Sequence, residues 1–218
     1  MEKLKEIFEM LLNWLLPEDS KIIEIENLSE TDLLNNVPQS NEIKDARYRA
    51  IFQYKDKYIK RAIWAIKYNK NQKIIKKFSN LLYEFILENI TDEMIFSNFN
   101  NPLLIPIPMH KNNLRERGYN QSELLVNEIY KIDDGKNFDI SLDTLTKTKE
   151  TPHQSKLKNK TERLKNLKNC FCADSEKIKN RNIILIDDVI TTGTTMNEAS
   201  KTLIEAGAKK VIGFSLAH

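Results

Sequence analysis

The densest chemistry in the chain lies in Asn182-Ile183-Ile184-Leu185-Ile186-Asp187-Asp188-Val189-Ile190-Thr191-Thr192-Gly193-Thr194-Thr195. An apolar run delivers two adjacent carboxylates, Asp187 and Asp188. A hydroxyl-rich loop with one glycine follows and opens a helix. Backbone N–H groups and threonine hydroxyls at a helix N-terminus form a cradle for a phosphate dianion, aided by the positive end of the helix dipole. Carboxylates just upstream accept hydrogen bonds from a pair of sugar hydroxyls, so the two features together describe a site for a ribose 5-phosphate. The bland alternative is a capped helix after a buried strand, with a chance acid pair. The loop lacks G-x-x-x-x-G-K and the chain has no G-x-G-x-x-G, which removes the usual support for an ATPase or a dinucleotide-binding protein. No Ser-His or Cys-His constellation offers a protein nucleophile.

The elements that must position this loop follow from periodicity. Asn182–Ile186 reads as a strand, Thr195–Ala206 as a helix stopped by Gly207, and Val211–Leu216 as a second strand, together a βαβ unit. Upstream, Tyr48–Tyr54 reads as a strand. It precedes a helix carrying Ile59, Ala62, Ile63 and Ile66, a polar break at 67–71, and a longer helix from Ile74 to Ile86. Leu103–Ile107 is a short strand before a helix over Gly118–Tyr130, and Leu142–Leu145 is a further candidate strand. Strands separated by helices imply an α/β fold with a mostly parallel central sheet flanked by helices, because parallel pairing needs a crossover long enough to hold a helix. Ligands in such folds bind at the carboxyl ends of the strands.

The N-terminal part is less regular. Residues 2–16 have the spacing of an amphipathic helix ended by Pro17, while 17–46 run polar, with an alternation at Lys21–Glu26 and a turn at Asn36–Ser40. The chain is 218 residues long, 40% hydrophobic and 30% charged, with only 5 Gly and 6 Pro. That composition excludes collagenous and natively unfolded classes. No apolar run is long enough to span a bilayer, and Glu2, Glu6 and Glu9 argue against a secretory signal, so the expected location is the cytoplasm. Cys170 and Cys172, one residue apart, read as packing thiols. Net charge is only +3, but residues 147–168 hold eight basic residues against two acidic ones. This run reads as a lid, a nucleic-acid patch or a solvated face, and it lacks the interleaved aromatics of a single-strand stacking platform.

Ile184 to Thr195 resembles the phosphoribosyl-diphosphate signature of type I phosphoribosyltransferases: apolar residues, two acids, then Thr-x-Gly-x-Thr. Leu104-Ile105-Pro106-Ile107-Pro108 and Leu114-Arg115-Glu116-Arg117-Gly118-Tyr119-Asn120-Gln121-Ser122-Glu123-Leu124-Leu125 resemble the PVP and R-x-R-G-F-N-Q-A-x-x-L-A blocks of the competence-related ComF family. Gln154, Arg163 and Asn166 match that family's spacing ahead of the signature, and Ile66-Lys67-Tyr68 sits where its members show L-K-Y or L-K-F. Together these blocks cover about residues 48–218.

The resemblance implies a type I phosphoribosyltransferase-like domain over 47–218. The small N-terminal segment, 1–46, would be a helix followed by a zinc-free remnant or hood. It implies a donor, 5-phosphoribosyl 1-diphosphate with Mg²⁺, and transfer to an acceptor that the sequence does not reveal, in connection with DNA uptake. The alternative is a non-catalytic donor sensor or DNA-binding factor built on a relic fold. Implied catalytic residues are Asp187, Asp188 and Lys67. Implied donor contacts are Asp187 and Asp188 for the ribose, Ile190, Thr191, Thr192, Gly193, Thr194 and Thr195 for the 5-phosphate, and Lys67 and Tyr68 for the diphosphate.

Other readings stand beside these. Lys67 has the alternative of a helix-end cation on the last carbonyls. Arg115 and Arg117 either clamp phosphate oxygens or pair with Glu116 and Glu123 on the surface. The chain departs from the family in having no cysteine before Cys170, so no zinc is expected, and no protein residue is assigned as a metal ligand. Single-stranded DNA or competence machinery, and a further copy of the chain, are the expected macromolecular partners.

Overall fold

A computed structural model describes residues 20–149 and 170–218. The expected helix over 2–16, and Gln154, Arg163 and Asn166, lie outside the described residues.

The run Asn182–Val189 (β6) is apolar enough to be buried on both faces, which places it at the middle of a parallel sheet. It pairs with Lys210–Ala217 (β7) on one side and Leu103–Pro106 (β2) on the other. Tyr48–Phe52 (β1) and Asp139–Ile140 (β3) are the edges, in the order β1-β7-β6-β2-β3 with every pair parallel. Alternate residues of β6 serve opposite layers. Ile184 and Ile186 join the core beneath Lys57–Trp64 (α3), Gln72–Ser97 (α4) and Gln121–Asp133 (α6). Ile183 and Leu185 face Met196, Ala199 and Leu203 of Thr194–Glu205 (α8). The chain leaves β6 toward β7 and leaves β2 toward β3, in opposite directions. The carboxyl ends of β2 and β6 therefore flank a crevice, the place where open α/β sheets bind ligands.

Several expectations are corrected. The Lys21–Glu26 alternation is not strand-like: Ser20–Asn27 (α1) is a helix with Ile22 and Ile25 on its buried face. A second helix, Glu30–Asn36 (α2), starts at a capping box in which the Ser29 hydroxyl accepts from Asp32 N and the Asp32 carboxylate accepts from Ser29 N. Lys77 Nζ of α4 donates to the carbonyls of Ile25, Glu26 and Leu28, closing the end of α1 and tying it to the sheet-covering layer.

Gly118 does not begin a helix but ends one, Lys111–Arg117 (α5), at φ 82°, with its N–H on Leu114 O. Asn120 then caps α6 by accepting from Ser122 N. The candidate strand at 142–145 lies later: Leu145–Lys147 (β4) pairs antiparallel with Phe171–Ala173 (β5), beside the short helix Ser175–Ile178 (α7). The polar residues after Trp64 do not break the helix at once. Ala65–Asn69 widens into a π turn that ends where Lys70 turns left-handed at φ 48°. Among the described residues no helix is long and apolar enough to cross a membrane.

One close approach steadies the helix behind the threonine loop. The buried Tyr48 ring lies over Gly213 of β7, and its hydroxyl donates to Asn197 Oδ1 at 3.0 Å and lies 3.1 Å from Ser200 Oγ, both on α8. A Cβ on Gly213 would stand 2.8 Å from Tyr48 Cδ1 and 3.1 Å from Met196 Sδ. Met196 can yield, whereas the Tyr48 ring is held at its hydroxyl. Gly213→Ala should therefore cost about 1–3 kcal/mol of stability, read as a lowered urea midpoint at unchanged m-value; an unshifted midpoint would show that the ring is free to move.

Candidate functional site

Strand β6 runs through both acids, so Asp187 and Asp188 are presented by the sheet itself, with Asp187 in register with Ser215 of β7. Asp188 is almost wholly buried. Its Oδ2 lies 2.5 Å from Lys67 Nζ, and its Oδ1 accepts from Gln121 Nε2 at 3.1 Å. Asp187 Oδ1 accepts from Ser122 Oγ and from Asp188 N, each at 2.9 Å. Two carboxylates, one ammonium, one amide and one hydroxyl thus meet at the carboxyl end of the central strand.

The π turn places Lys67 there, and α5 and α6 hold the turn. Tyr119 Oη donates to Ile66 O at 3.0 Å and accepts from Lys70 N at 3.1 Å, supplying side-chain partners on both flanks of Lys67. Arg117 lies over the Tyr68 ring at 5.3 Å and donates to Gln121 Oε1 at 2.7 Å. The Arg117-to-Ser122 block therefore acts as a bracket between the turn and the acids.

Burial and the neighbouring Asp188 carboxylate push the Asp187 carboxyl up to about 7, against the pull of Lys67 and the Ser122 hydrogen bond. Burial disfavours the Lys67 ammonium, but Asp188, with help from Asp187, raises it above the ordinary lysine value. An acid that keeps its proton to about pH 7 when folded, against an ordinary value of 3.8, makes the native state bind more protons between those limits. Its contribution to stability therefore falls as pH rises through that window. Asp187→Asn should remove this fall: its urea midpoint should decline less than wild type between pH 5 and pH 8, and parallel profiles would place the titration elsewhere.

Beyond the acids, Ile190–Gly193 turns into α8. Gly193 adopts φ 72° and its carbonyl accepts from Asn197 N. Thr192 Oγ1 and Thr194 Oγ1 lie 2.7 Å apart. The first N–H groups of a helix have no partner within the helix itself, and the positive end of its dipole favours an anion there. A cleft of about 890 Å³ opens over these groups, and Lys67, Tyr68, Arg117, Asp187, Asp188, Thr191 and Thr195 all line it.

Five expected residues are not on its wall: Arg115, Ile190, Thr192, Gly193 and Thr194. Arg115 is exposed elsewhere on α5. Ile190 sits in the core, its N–H on Ala217 O and its carbonyl 2.9 Å from His218 Nδ1. Sequence reasoning passed over Gln121 and Ser122, which stood inside a quoted block but fix the acids directly. It also passed over Lys147 as a site residue. Lys147 lies on the cleft wall at the end of β4, where burial lowers its pKa while Asp187 raises it. Among the described residues no group of three or more His, Cys, Asp or Glu side chains could hold a metal ion. The oxygen donors of Asp187 and Asp188 fit a Mg²⁺ that arrives with a phosphorylated ligand, since that ion keeps most of its waters and takes one or two carboxylates plus substrate phosphates.

Residues 118–217 match the phosphoribosyl transferase domain. The chain is 32% identical over 171 residues to competence protein ComFC of Streptococcus pneumoniae, covering 78% of this chain and 68% of that one. It is 32% identical to competence protein ComFC of Bacillus subtilis, covering 77% and 62%. It is 35% identical over 117 residues to competence protein F of Haemophilus influenzae, covering 53% of this chain and spanning about half, 49%, of the Haemophilus protein.

Proposed function

The chain belongs to the ComF family of phosphoribosyl transferase-domain proteins, and we propose that it binds 5-phosphoribosyl 1-diphosphate with Mg²⁺ and transfers the phosphoribosyl group to a nitrogen acceptor, in the cytoplasm and in the service of DNA uptake. The observation that carries this reading is the pair Asp187 and Asp188 at the end of the central strand, with the threonine loop on one side and Lys67 on the other. A pentose bearing a 5-phosphate and an anomeric diphosphate spans that arrangement: hydroxyls on the carboxylates, 5-phosphate on the N-terminus of α8, diphosphate toward Lys67.

Catalysis on this reading is positioning and electrostatics. The C1–O bond to diphosphate breaks with its electron pair leaving on the diphosphate, and the acceptor nitrogen bonds to C1. The ring carbon passes through oxocarbenium character, which the Asp188 carboxylate, and Asp187 once it has lost its proton, favour by their negative charge. Lys67 takes negative charge developing on the leaving group, and the threonine loop fixes the far end of the sugar. Asp187 and Asp188 would hold a magnesium ion that came with the donor, which would supply neutralising charge for the diphosphate.

A donor-sensing factor without turnover is the second reading, and the Lys67–Asp188 ion pair favours it, because it occupies the groups that catalysis would need. Calorimetric titration with phosphoribosyl diphosphate, with and without Mg²⁺, tests the shared part. Micromolar, Mg²⁺-dependent binding is expected, and no heat at millimolar donor would overturn both readings. Release of diphosphate from bound donor, followed over hours, separates turnover from sensing.

A further inference from the structure

An amine on the cleft wall has no part in the transfer described above. Lys147 ends β4, and the β4–β5 layer joins the core of Met196 and Ala199 of α8 through Leu145 and Phe171. The π turn carrying Lys67 belongs, through Ile66, to the core on the other face of the sheet. Two lysines therefore approach the acids from opposite layers, and their surroundings differ. Lys67 is held 2.5 Å from Asp188. Among the described residues the half-buried Lys147 has no ion pair and its Nζ donates no hydrogen bond; Nζ lies 5.9 Å from the centroid of the Phe171 ring. The neighbouring Cys170 is wholly buried, and burial pushes its thiol up, so it offers no thiolate as a counter-ion.

This contrast separates two kinds of work. A lysine that serves an anion is best kept charged, as Asp188 keeps Lys67. Lys147 sits where burial disfavours the ammonium, and Cys170 and Asp187 oppose that only in part. An amine whose charge is disfavoured becomes a nucleophile for carbonyl carbon, the state that imine-forming lysines need. Lys57 and Lys60 line the cleft too, but they are exposed and water solvates their charge. Asp187 is near enough to Lys147 to bias its charge, so the amine overlooks the ribose end of the site. An aldose 5-phosphate in its open-chain form presents an aldehyde at C1, the same carbon that carries diphosphate in the donor.

We propose that Lys147 is an imine-forming site for the open-chain aldehyde of a pentose 5-phosphate, and that the adduct closes the cleft to donor. The proposal rests on the donor reading above. The donor is itself a source of the aldehyde: when water in place of an acceptor attacks C1, diphosphate leaves and ribose 5-phosphate remains. Ring opening exposes the carbonyl. Lys147 Nζ, as the free amine, bonds to C1 and gives a carbinolamine, whose hydroxyl departs as water while the C=N double bond forms. The step needs no oxidant or reductant, and hydration reverses it. A chain that hydrolyses its donor without an acceptor thereby brakes itself.

The test uses the full chain with ribose 5-phosphate and sodium cyanoborohydride, which reduces an imine to a stable secondary amine, and peptide mass spectrometry to place it. A single adduct on Lys147 is expected. Ribose, which lacks the phosphate anchor, should label about tenfold more slowly at the same concentration. Lys147→Arg and Lys147→Gln should each lose that adduct, with urea midpoints on both variants reporting that they fold. Labelled wild type should show no donor binding by calorimetric titration.

Adducts spread over surface lysines at equal rates with ribose and ribose 5-phosphate, or placed on Lys67, overturn the proposal. So does a labelled chain that binds donor normally. Loss of donor affinity in Lys147→Gln with no adduct in wild type also overturns it, and makes Lys147 an anion contact only. Donor titration on unlabelled wild type keeps the two readings apart. Donor binding without an adduct defeats the imine alone, whereas an adduct on Lys147 without donor binding defeats the donor reading and the brake with it.

Discussion

Asp188→Asn should lower affinity for phosphoribosyl diphosphate by two orders of magnitude or more and cost about 3 kcal/mol of folding stability. The two losses have different origins. The affinity loss combines a weaker acceptor for a ribose hydroxyl with a Lys67 no longer held where the diphosphate would meet it. The stability loss comes from Lys67, whose side chain is only 24% exposed and whose ammonium loses its partner at 2.5 Å. Removing one member of a buried pair strands the other charge, while removing both and filling the space with apolar side chains is often close to neutral. The double variant Lys67→Met with Asp188→Leu should therefore recover most of the stability and none of the donor binding. Calorimetry and urea unfolding on the same preparations check both. Wild-type affinity in Asp188→Asn would defeat the site assignment, and a double variant as unstable as the single would show that Lys67 is not the stranded charge.

Gly193→Val should weaken both phosphoribosyl diphosphate and ribose 5-phosphate at least tenfold. Gly193 sits at φ 72° with room for a Cβ, the nearest side-chain atom being Asn197 Nδ2 at 3.6 Å. The obstacle is the backbone, because a β-branched residue in the left-handed region is strained by about 1–2 kcal/mol and relaxes by turning the peptide. That turn re-aims the N–H groups which would hold the 5-phosphate. Gly135 has nearly the same φ, 70°, but follows α6 with no cleft-lining residue near it in the chain, whereas Gly193 stands between the lining residues Thr191 and Thr195, so Gly135→Val should lose comparable stability and keep full donor affinity. Isothermal titration of the two variants separates the loop's role from the strain, and equal affinities would remove the loop from the donor site.

How far the chain could be read depended on whether the signal was local. Strands β6 and β7 and helix α8 stand where periodicity places them to within a few residues, because their apolar runs are unbroken and Gly207 ends α8. The acids and the threonine loop were legible for the same reason: they are contiguous. Helix α1 was missed because its buried residues, Ile22 and Ile25, lie among charged ones, and its C-terminal carbonyls are closed by Lys77 from another helix. The π turn was legible only as a polar stretch, since Tyr119, far along the chain, supplies its side-chain partners. Gln121 and Ser122 touch residues 65 or more positions away, which no pattern of spacing exposes. Trp64 passed as ordinary helix composition until the cleft beside it was visible.

The Lys67–Asp188 contact sets a rule of exchange for whatever enters the cleft. Lys67 already has its counter-ion within the fold, so an incoming anion displaces a tethered carboxylate and frees no salt ion from that lysine. An anion that captures Lys67 and offers nothing in return leaves Asp188 buried and charged with only the Gln121 amide. Chloride, inorganic phosphate and free diphosphate all fall in that class. A molecule that joins an anionic group to neighbouring hydroxyls satisfies the lysine and the released carboxylate in one event. The pair thus works as a two-key selectivity element, rejecting simple anions by the vacancy they would create and admitting a phosphorylated sugar because it brings both halves of the replacement.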